Sequence, residues 1–230
     1  MTKELKKRII TSILLFLLAI FCIFTNFFTL AVMIVSLVVF IEISNMIHRI
    51  AGDISNWKNV IFNIIALFYI IFILIPSATG LHLLGPVFFL YILSVCICSD
   101  IGGYIIGKTI AGRKLIKISP NKTISGSVGS FCFSILPLLL FYNFNSSKYS
   151  YSISNFLLCL EISLVCQLGD LFVSYLKRKA KVKDTGRILP GHGGVLDRID
   201  GIIFAITFVF IYLNGFGEYV EIWKVAFSKI

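Results

Sequence analysis

Long apolar runs broken by short polar stretches cover almost the whole chain. Seven runs approach the ~20 residues of a bilayer crossing: 9–24, 27–43, 60–75, 81–98, 128–144, 156–173 and 199–213. Only Thr25 and Asn26 separate the first two, which predicts a tight helical hairpin. Period-two alternation is weak, and a lipid-exposed backbone must be helical or form a closed barrel, so helices are predicted. The first run leads straight into the second without a small-residue cleavage site, so no cleavable signal is expected. The pattern defines an all-α polytopic membrane protein with about seven transmembrane helices. It is read as one membrane domain, 1–230, with N-terminal spans in 1–98 and a second part, 99–230, that holds the longer polar stretches.

Composition agrees. The chain has 230 residues, 58% hydrophobic and 14% charged, with a mean hydropathy of +0.96. A water-soluble domain needs more polar surface than this, and 22 Phe exclude a disordered chain. The six cysteines all sit in apolar runs, and none has zinc-type spacing with a His. The net charge of +10 is unevenly placed. With the N-terminus inside, 18 of the 21 Lys and Arg fall on the inner side, and only Lys148, Lys224 and Lys229 fall outside, the bias that sets membrane orientation. Residues 214–230 are then outside, where Tyr219, Trp223 and Phe227 recur every four positions as on an interfacial helix. No internal repeat is seen. The only long polar stretches, 99–127 and 177–198, are both inside, and function is expected there.

The acids are few enough to take singly. Glu4, Asp53, Glu218 and Glu221 read as solvated surface charges. Glu42 and Glu161 lie within apolar runs, where a carboxylate costs ~2.5–3.5 kcal/mol and usually faces a polar interior. Glu42, near a predicted helix end, either snorkels to the interface or has a role. Glu161, deeper, marks a polar network or a neutral, hydrogen-bonded carboxyl. Asp170 falls near the inner end of the sixth run, and Asp197 and Asp200 fall at the start of the seventh. Positions three apart share a helix face. Three converging carboxylates need a cation between them, and an all-oxygen set favours Mg²⁺ or Mn²⁺. Alternatively, Asp197 and Asp200 cap a helix N-terminus.

Between these acids, residues 177–187 carry six basic groups against one acidic group. Topology and anionic headgroups explain a basic loop. They do not explain Pro190-Gly191-His192-Gly193-Gly194 leading into two aspartates. Glycines let backbone N–H groups approach an anion, and a helix N-terminus adds positive potential. Cations, a Gly-rich turn and a divalent metal at one membrane face suggest phosphate chemistry. Asp170, Ser174 and Arg178, spaced by four, can share one helical face. His192 is read as a phosphate ligand, a loop-structuring residue or a general acid.

The stretch 174–200 resembles the signature of the phosphatidate cytidylyltransferase (CDP-diacylglycerol synthase) family. It carries Ser174, Lys177-Arg178, Lys183-Asp184, Pro190-Gly191-His192-Gly193-Gly194, Asp197-Arg198 and Asp200 at the family's spacing. Upstream, Asp100-Ile101-Gly102-Gly103-Tyr104 with Gly107-Lys108 resembles the family's Asp-x-Gly-Ala-Tyr element. Ser119-Pro120-Asn121-Lys122-Thr123-Ile124-Ser125-Gly126-Ser127 resembles its Ser-Pro-x-Lys-Thr-x-[Glu/Gln]-Gly element. Gly103 stands where Ala is usual, and Ser125 where an acid or amide is usual. The likeness is good from residue 99 onward; the first spans match only in character, and the chain is short for the family, as if lacking N-terminal spans.

The resemblance implies CMP transfer from CTP to phosphatidate, giving CDP-diacylglycerol and pyrophosphate, with one or two Mg²⁺ held by Asp170, Asp197 and Asp200. Ser174 and Lys183 join the catalytic set. Lys177, Arg178, Asp184, His192, Gly193, Gly194 and Arg198, with Lys122, Thr123 and Asp100 from the other inside segment, are the implied substrate-binding residues. The implied setting is a bacterial-type inner membrane with the N-terminus cytoplasmic. The implied partners are CTP, phosphatidate, the bilayer and a second copy in a homodimer, with no nucleic acid. Two alternatives stand beside this: a CTP-dependent enzyme acting on another lipid phosphate or polyprenol, and a transporter.

Overall fold

The computed structural model describes residues 3–51, 85–116, 119–144, 152–191 and 193–215, with scattered positions between 60 and 81. Half of the predicted third span, His192 and the expected interfacial stretch beyond 215 lie outside the described residues. The chain divides into two compact units, Met1–Thr79 with Tyr175–Asp200, and Gly80–Ser174 with Gly201–Ile230.

In the first unit, α1 (Lys3–Ile23) and α2 (Phe28–Ala51) form the predicted hairpin. The Thr25 hydroxyl donates to the Phe21 carbonyl at 2.8 Å, satisfying one of the free acceptors at the end of α1. Val39, Ile43 and Met46 of α2 are buried, whereas Leu17, Phe21, Leu30 and Leu37 are all more than half exposed. Apolar side chains left uncovered over whole helix faces are what a lipid-facing surface requires. The unit also contains the last turn of α6 (Ile153–Lys179), the segment 180–195 and the first turn of α7 (Leu196–Gly215). Helix α6 ends in a Schellman motif: Val182 N–H donates to Lys177 O at 3.0 Å and Lys181 N–H to Arg178 O at 3.1 Å. Lys181 takes the left-handed position, φ 54°, where glycine is usual.

In the second unit, α3 (Pro86–Thr109) starts with proline, whose missing N–H costs nothing there. Tyr91 and Ser99 of α3 bond Cys159 and Ser163 of α6, at 2.9 and 2.8 Å. Such side-chain bonds help hold membrane helices together. The polar stretch after α3 is not simple loop. It contains an antiparallel hairpin, β1 (Lys114–Ile116) and β2 (Ser119–Thr123), pairing Lys114 with Thr123 and Ile116 with Ser119. The predicted fifth span is broken into α4 (Ile124–Ser134) and α5 (Leu136–Phe144). Pro137 lacks the N–H that would continue the ladder, and Leu138 N–H bonds Ile135 O in a tighter turn.

Helices α3 and α4 meet through glycine. A Cβ on Gly102 would fall 2.5 Å from Gly129 O, and one on Gly126 would fall 2.9 Å from Gly103 O. This close approach is the small-residue packing of membrane helices. Position 103 departs from the resembled pattern in the same contact: a Cβ there would meet Ser130 Oγ at 2.5 Å.

The all-α membrane class stands. Among the described residues, four helical stretches are long and apolar enough to cross a bilayer: Phe28–Ile50, Pro86–Thr109, Ile124–Tyr142 (α4 and α5 taken together) and Ile153–Lys179. All six cysteines are free thiols.

Candidate active site

The candidate residues form two groups, one in each unit. In the second unit, α3 delivers Asp100, β2 delivers Lys122, the first turn of α4 brings Gly126 and Ser127, and α6 brings Gln167 and Asp170. These line a cleft of about 270 Å³, together with Gly103, Tyr104, Leu115, Thr123 and Ser130. Lys122 Nζ forms an ion pair with Asp170 Oδ2, and Ser174 Oγ donates to Asp170 Oδ1 at 3.4 Å. Ser127 Oγ donates to Gln167 Oε1 at 2.6 Å, and Gln167 Nε2 donates to Ser163 Oγ at 3.2 Å.

Local sequence explains how β2 passes into α4. Thr123 is the N-cap, its hydroxyl accepting from Gly126 N–H at 3.0 Å. The positive end of α4 therefore opens on the cleft beside the Lys122 ammonium. Ser125 does not line the cleft. Its hydroxyl bonds the carbonyl of Ala111, a residue held at φ 54°, so position 125 secures the turn after α3.

In the first unit, Asp197 sits in the first turn of α7. Lys177 Nζ donates to its Oδ1 at 2.8 Å. Its Oδ2 accepts from Thr185 N–H (2.8 Å), Gly194 N–H (3.0 Å) and Thr185 Oγ1 (3.1 Å). The return to Gly194, three residues earlier, has the form of a capping box. Helix capping, the alternative open from the sequence, is thus a role Asp197 fills. Burial alone would raise its pKa, but Lys177 and the N–H groups of Gly194 and Thr185 outweigh burial and hold it below the ordinary carboxylate value. Lys183, Asp184, Arg178 and Arg198 are exposed, and Asp200 is half-buried. Leu189 N–H bonds Gly193 O at 2.9 Å, closing the Gly-rich turn, with Gly191 and Gly193 at φ 76° and 86°.

Glu42 does not snorkel. It lies within α2 at 2% exposure. It accepts from Thr185 Oγ1 (2.7 Å), Val195 N–H (2.9 Å) and Leu196 N–H (3.0 Å). Backbone N–H groups that the sequence offers to an incoming anion are thus given to two of the chain's own carboxylates. Glu161 also differs from expectation: its Oε2 is buried with no hydrogen-bond partner among the described residues. Ser127, Gln167 and Glu42 join the site residues. Their signal was a polar side chain in or beside an apolar run.

Among the described residues, no three His, Cys, Asp or Glu side chains are grouped so as to hold a metal ion. The donor chemistry still suits Mg²⁺, which is commonly held by one or two carboxylates plus substrate phosphates. Asp100 and Asp170 supply two carboxylates to one cleft, with hydroxyl and amide oxygens beside them.

Helical spans with a polar, charge-paired cleft define the class as a membrane-embedded enzyme. The cytidylyltransferase family profile matches residues 50–216, and the chain belongs to that family. It is 39% identical over 171 residues to a phosphatidate cytidylyltransferase of Rickettsia felis, covering 69% of this chain and 75% of that one. It is 38% identical over 182 residues to the protein of that name from Rickettsia bellii, covering 74% and 78%. It is also 38% identical over 141 residues to a phosphatidate cytidylyltransferase of Helicobacter pylori, covering 61% of this chain and half the length of that relative.

Proposed function

We propose that this chain transfers CMP from CTP to phosphatidate, giving CDP-diacylglycerol and pyrophosphate. The observation that carries this reading is the cleft where Lys122 and Asp170 pair beside the N-terminus of α4. The names of the relatives point to the same substrates.

The chemistry is economical for such a site. The phosphate of phosphatidate is largely ionised near neutral pH, its second pKa being about 6, so it needs no general base. One of its oxygens attacks the α-phosphorus of CTP. The bond from that phosphorus to the bridging oxygen breaks, and pyrophosphate leaves with the electron pair. The barrier lies in bringing two anions together, which calls for positioning and charge neutralisation. In this reading Lys122 and the positive end of α4 receive phosphate oxygens, and Ser127 and Gln167 orient them. From the signature segment, Lys183, Arg178 and Arg198 supply exposed cationic charge, Lys177 holds Asp197 in place, and Asp184, His192, Gly193 and Gly194 contribute to substrate binding. Asp170, Asp197 and Asp200 are the Mg²⁺ ligands that the resemblance implies, and the oxygen-donor chemistry of the cleft beside Asp170 suits such a cation. A bound Mg²⁺ would offset charge on the nucleotide phosphates.

The charge bias supports a setting in which these segments face the cytoplasm from an inner membrane. There the lipid phosphate sits at headgroup level and CTP arrives from water. A homodimer is part of the same reading. Purified protein supplied with phosphatidate and CTP labelled at the α- or γ-phosphate tests it. Label from the α-position should enter lipid and label from the γ-position should not; the reverse indicates a kinase.

A further inference from the structure

The signature segment is anchored by a residue from far upstream. Glu42 is a carboxylate within a membrane-type helix, an expensive placement that marks function. Both its oxygens are engaged by the segment: Oε1 by Val195 N–H, and Oε2 by Leu196 N–H and the Thr185 hydroxyl. That hydroxyl also lies 3.1 Å from Asp197 Oδ2, so one O–H stands between two carboxylates. Glycines make the approach possible. A Cβ on Gly186 would fall 2.5 Å from Glu42 Oε1, and one on Gly194 would fall 2.6 Å from Glu42 Oε2.

We infer that Glu42 is a positioning residue for the reaction: it fixes the backbone at 194–196 and, through Thr185, the orientation of the Asp197 carboxylate. It acts on the chain that presents the Gly-rich turn and Asp197 to CTP, and in this the inference rests on the cytidylyl-transfer reading above. Charge and geometry both matter. Glutamine keeps the shape, but its NH₂ group must face at least one of three donors, and the negative charge at the start of α7 is lost.

The test is steady-state kinetics of the full chain in lipid–detergent micelles with Mg²⁺, varying CTP and phosphatidate in turn, for Glu42→Gln, Thr185→Val, Thr185→Ser and the Glu42→Gln/Thr185→Val double variant. The KM for CTP should rise about tenfold in each of the first two, the cost of leaving a buried donor or acceptor unmatched. The KM for phosphatidate should stay within about twofold. Thr185→Ser, which keeps the hydroxyl, should behave as wild type. The double variant should be no worse than the worse single one, because both break one network. A partly misfolded preparation lowers apparent kcat but leaves KM unchanged. If Glu42→Gln does not accumulate, the contrast of Thr185→Val with Thr185→Ser decides. An unchanged CTP KM in Glu42→Gln and Thr185→Val, or multiplicative losses in the double variant, overturns the inference. Wild-type protein that transfers no label from α-labelled CTP to phosphatidate overturns the underlying reading instead.

Discussion

Lys177 Nζ lies 2.8 Å from Asp197 Oδ1, tying the last turn of α6 to the first turn of α7 through side chains only 16% and 6% exposed. The other Asp197 oxygen is held by neutral donors. Lys177→Met removes the cation paired with this carboxylate and leaves a buried charge less well compensated, at a cost of about 2 kcal/mol. Thermal unfolding in detergent should show a lower Tm, with Lys177→Arg nearer wild type and the exposed Lys183→Ala unchanged. The sign with pH follows from the depressed folded-state pKa of Asp197. The contribution is full above the unfolded-state pKa, about 3.9, and is lost as pH falls through the lower folded value. The wild-type and Lys177→Met midpoints should therefore converge in strong acid. A gap that persists there would rule out the ion pair as its source.

Gly129→Ala should disrupt the second unit while leaving every charged group in place. The new methyl would lie 2.5 Å from Ile106 Cβ and 2.7 Å from Gly102 O, and neither a β-carbon nor a backbone carbonyl can swing aside. The helices α3 and α4 must separate, and overpacking of this kind costs about 1–3 kcal/mol. A drop in Tm, with activity falling in parallel, is the expected result. An unchanged midpoint would show that the interface yields more easily than its geometry suggests.

The apolar runs made the membrane class legible because bilayer thickness imposes one length on every span. The break at Ile135 and the β1–β2 hairpin were not legible. Pro137 can kink a span or end one, and a polar stretch between spans does not reveal its own pairing. Lys122, Thr123 and Asp100 were recognisable from motif resemblance and Asp170 as an acid at the end of an apolar run, and all four line one cleft. Glu42 was visible only as an anomaly. An acid in an apolar run looks the same whether it snorkels or receives a loop 143–154 residues further along, and only tertiary structure separates the two. Asp197 carried two readings at once because a helix-capping carboxylate and a cation-binding carboxylate occupy the same kind of position.

Lys181→Gly should stabilise the protein. Lys181 holds the left-handed position of the Schellman motif at φ 54°, where a side chain costs roughly 1–2 kcal/mol. Glycine removes that strain but loses more entropy on folding, by roughly 0.5–1 kcal/mol. The net gain is about 0.5–1 kcal/mol, seen as a rise in Tm of a few degrees with the CTP KM unchanged. A fall in Tm would mean that the Lys181 side chain contributes more than its backbone costs.

Metal removal separates the charge-pairing in the cleft from the proposed cation. Lys122 and Asp170 already neutralise each other, so the cleft persists without a divalent ion. A substrate pair carrying two multiply charged phosphate groups calls for a cation close to the reacting phosphorus, beyond what Lys122, one helix end and the exposed basic side chains supply. Excess EDTA should therefore abolish CMP transfer while leaving Tm almost unchanged, and Mg²⁺ should restore turnover. Asp170→Asn should lower kcat/KM by about a hundredfold or more and raise the Mg²⁺ concentration needed for half-maximal activity. Asp197→Asn and Asp200→Asn should each abolish turnover in protein that remains membrane-inserted. If Asp170→Asn lost activity with no change in its Mg²⁺ requirement, Asp170 would be a partner of Lys122 only. Full turnover in EDTA would remove the cation from the proposal altogether.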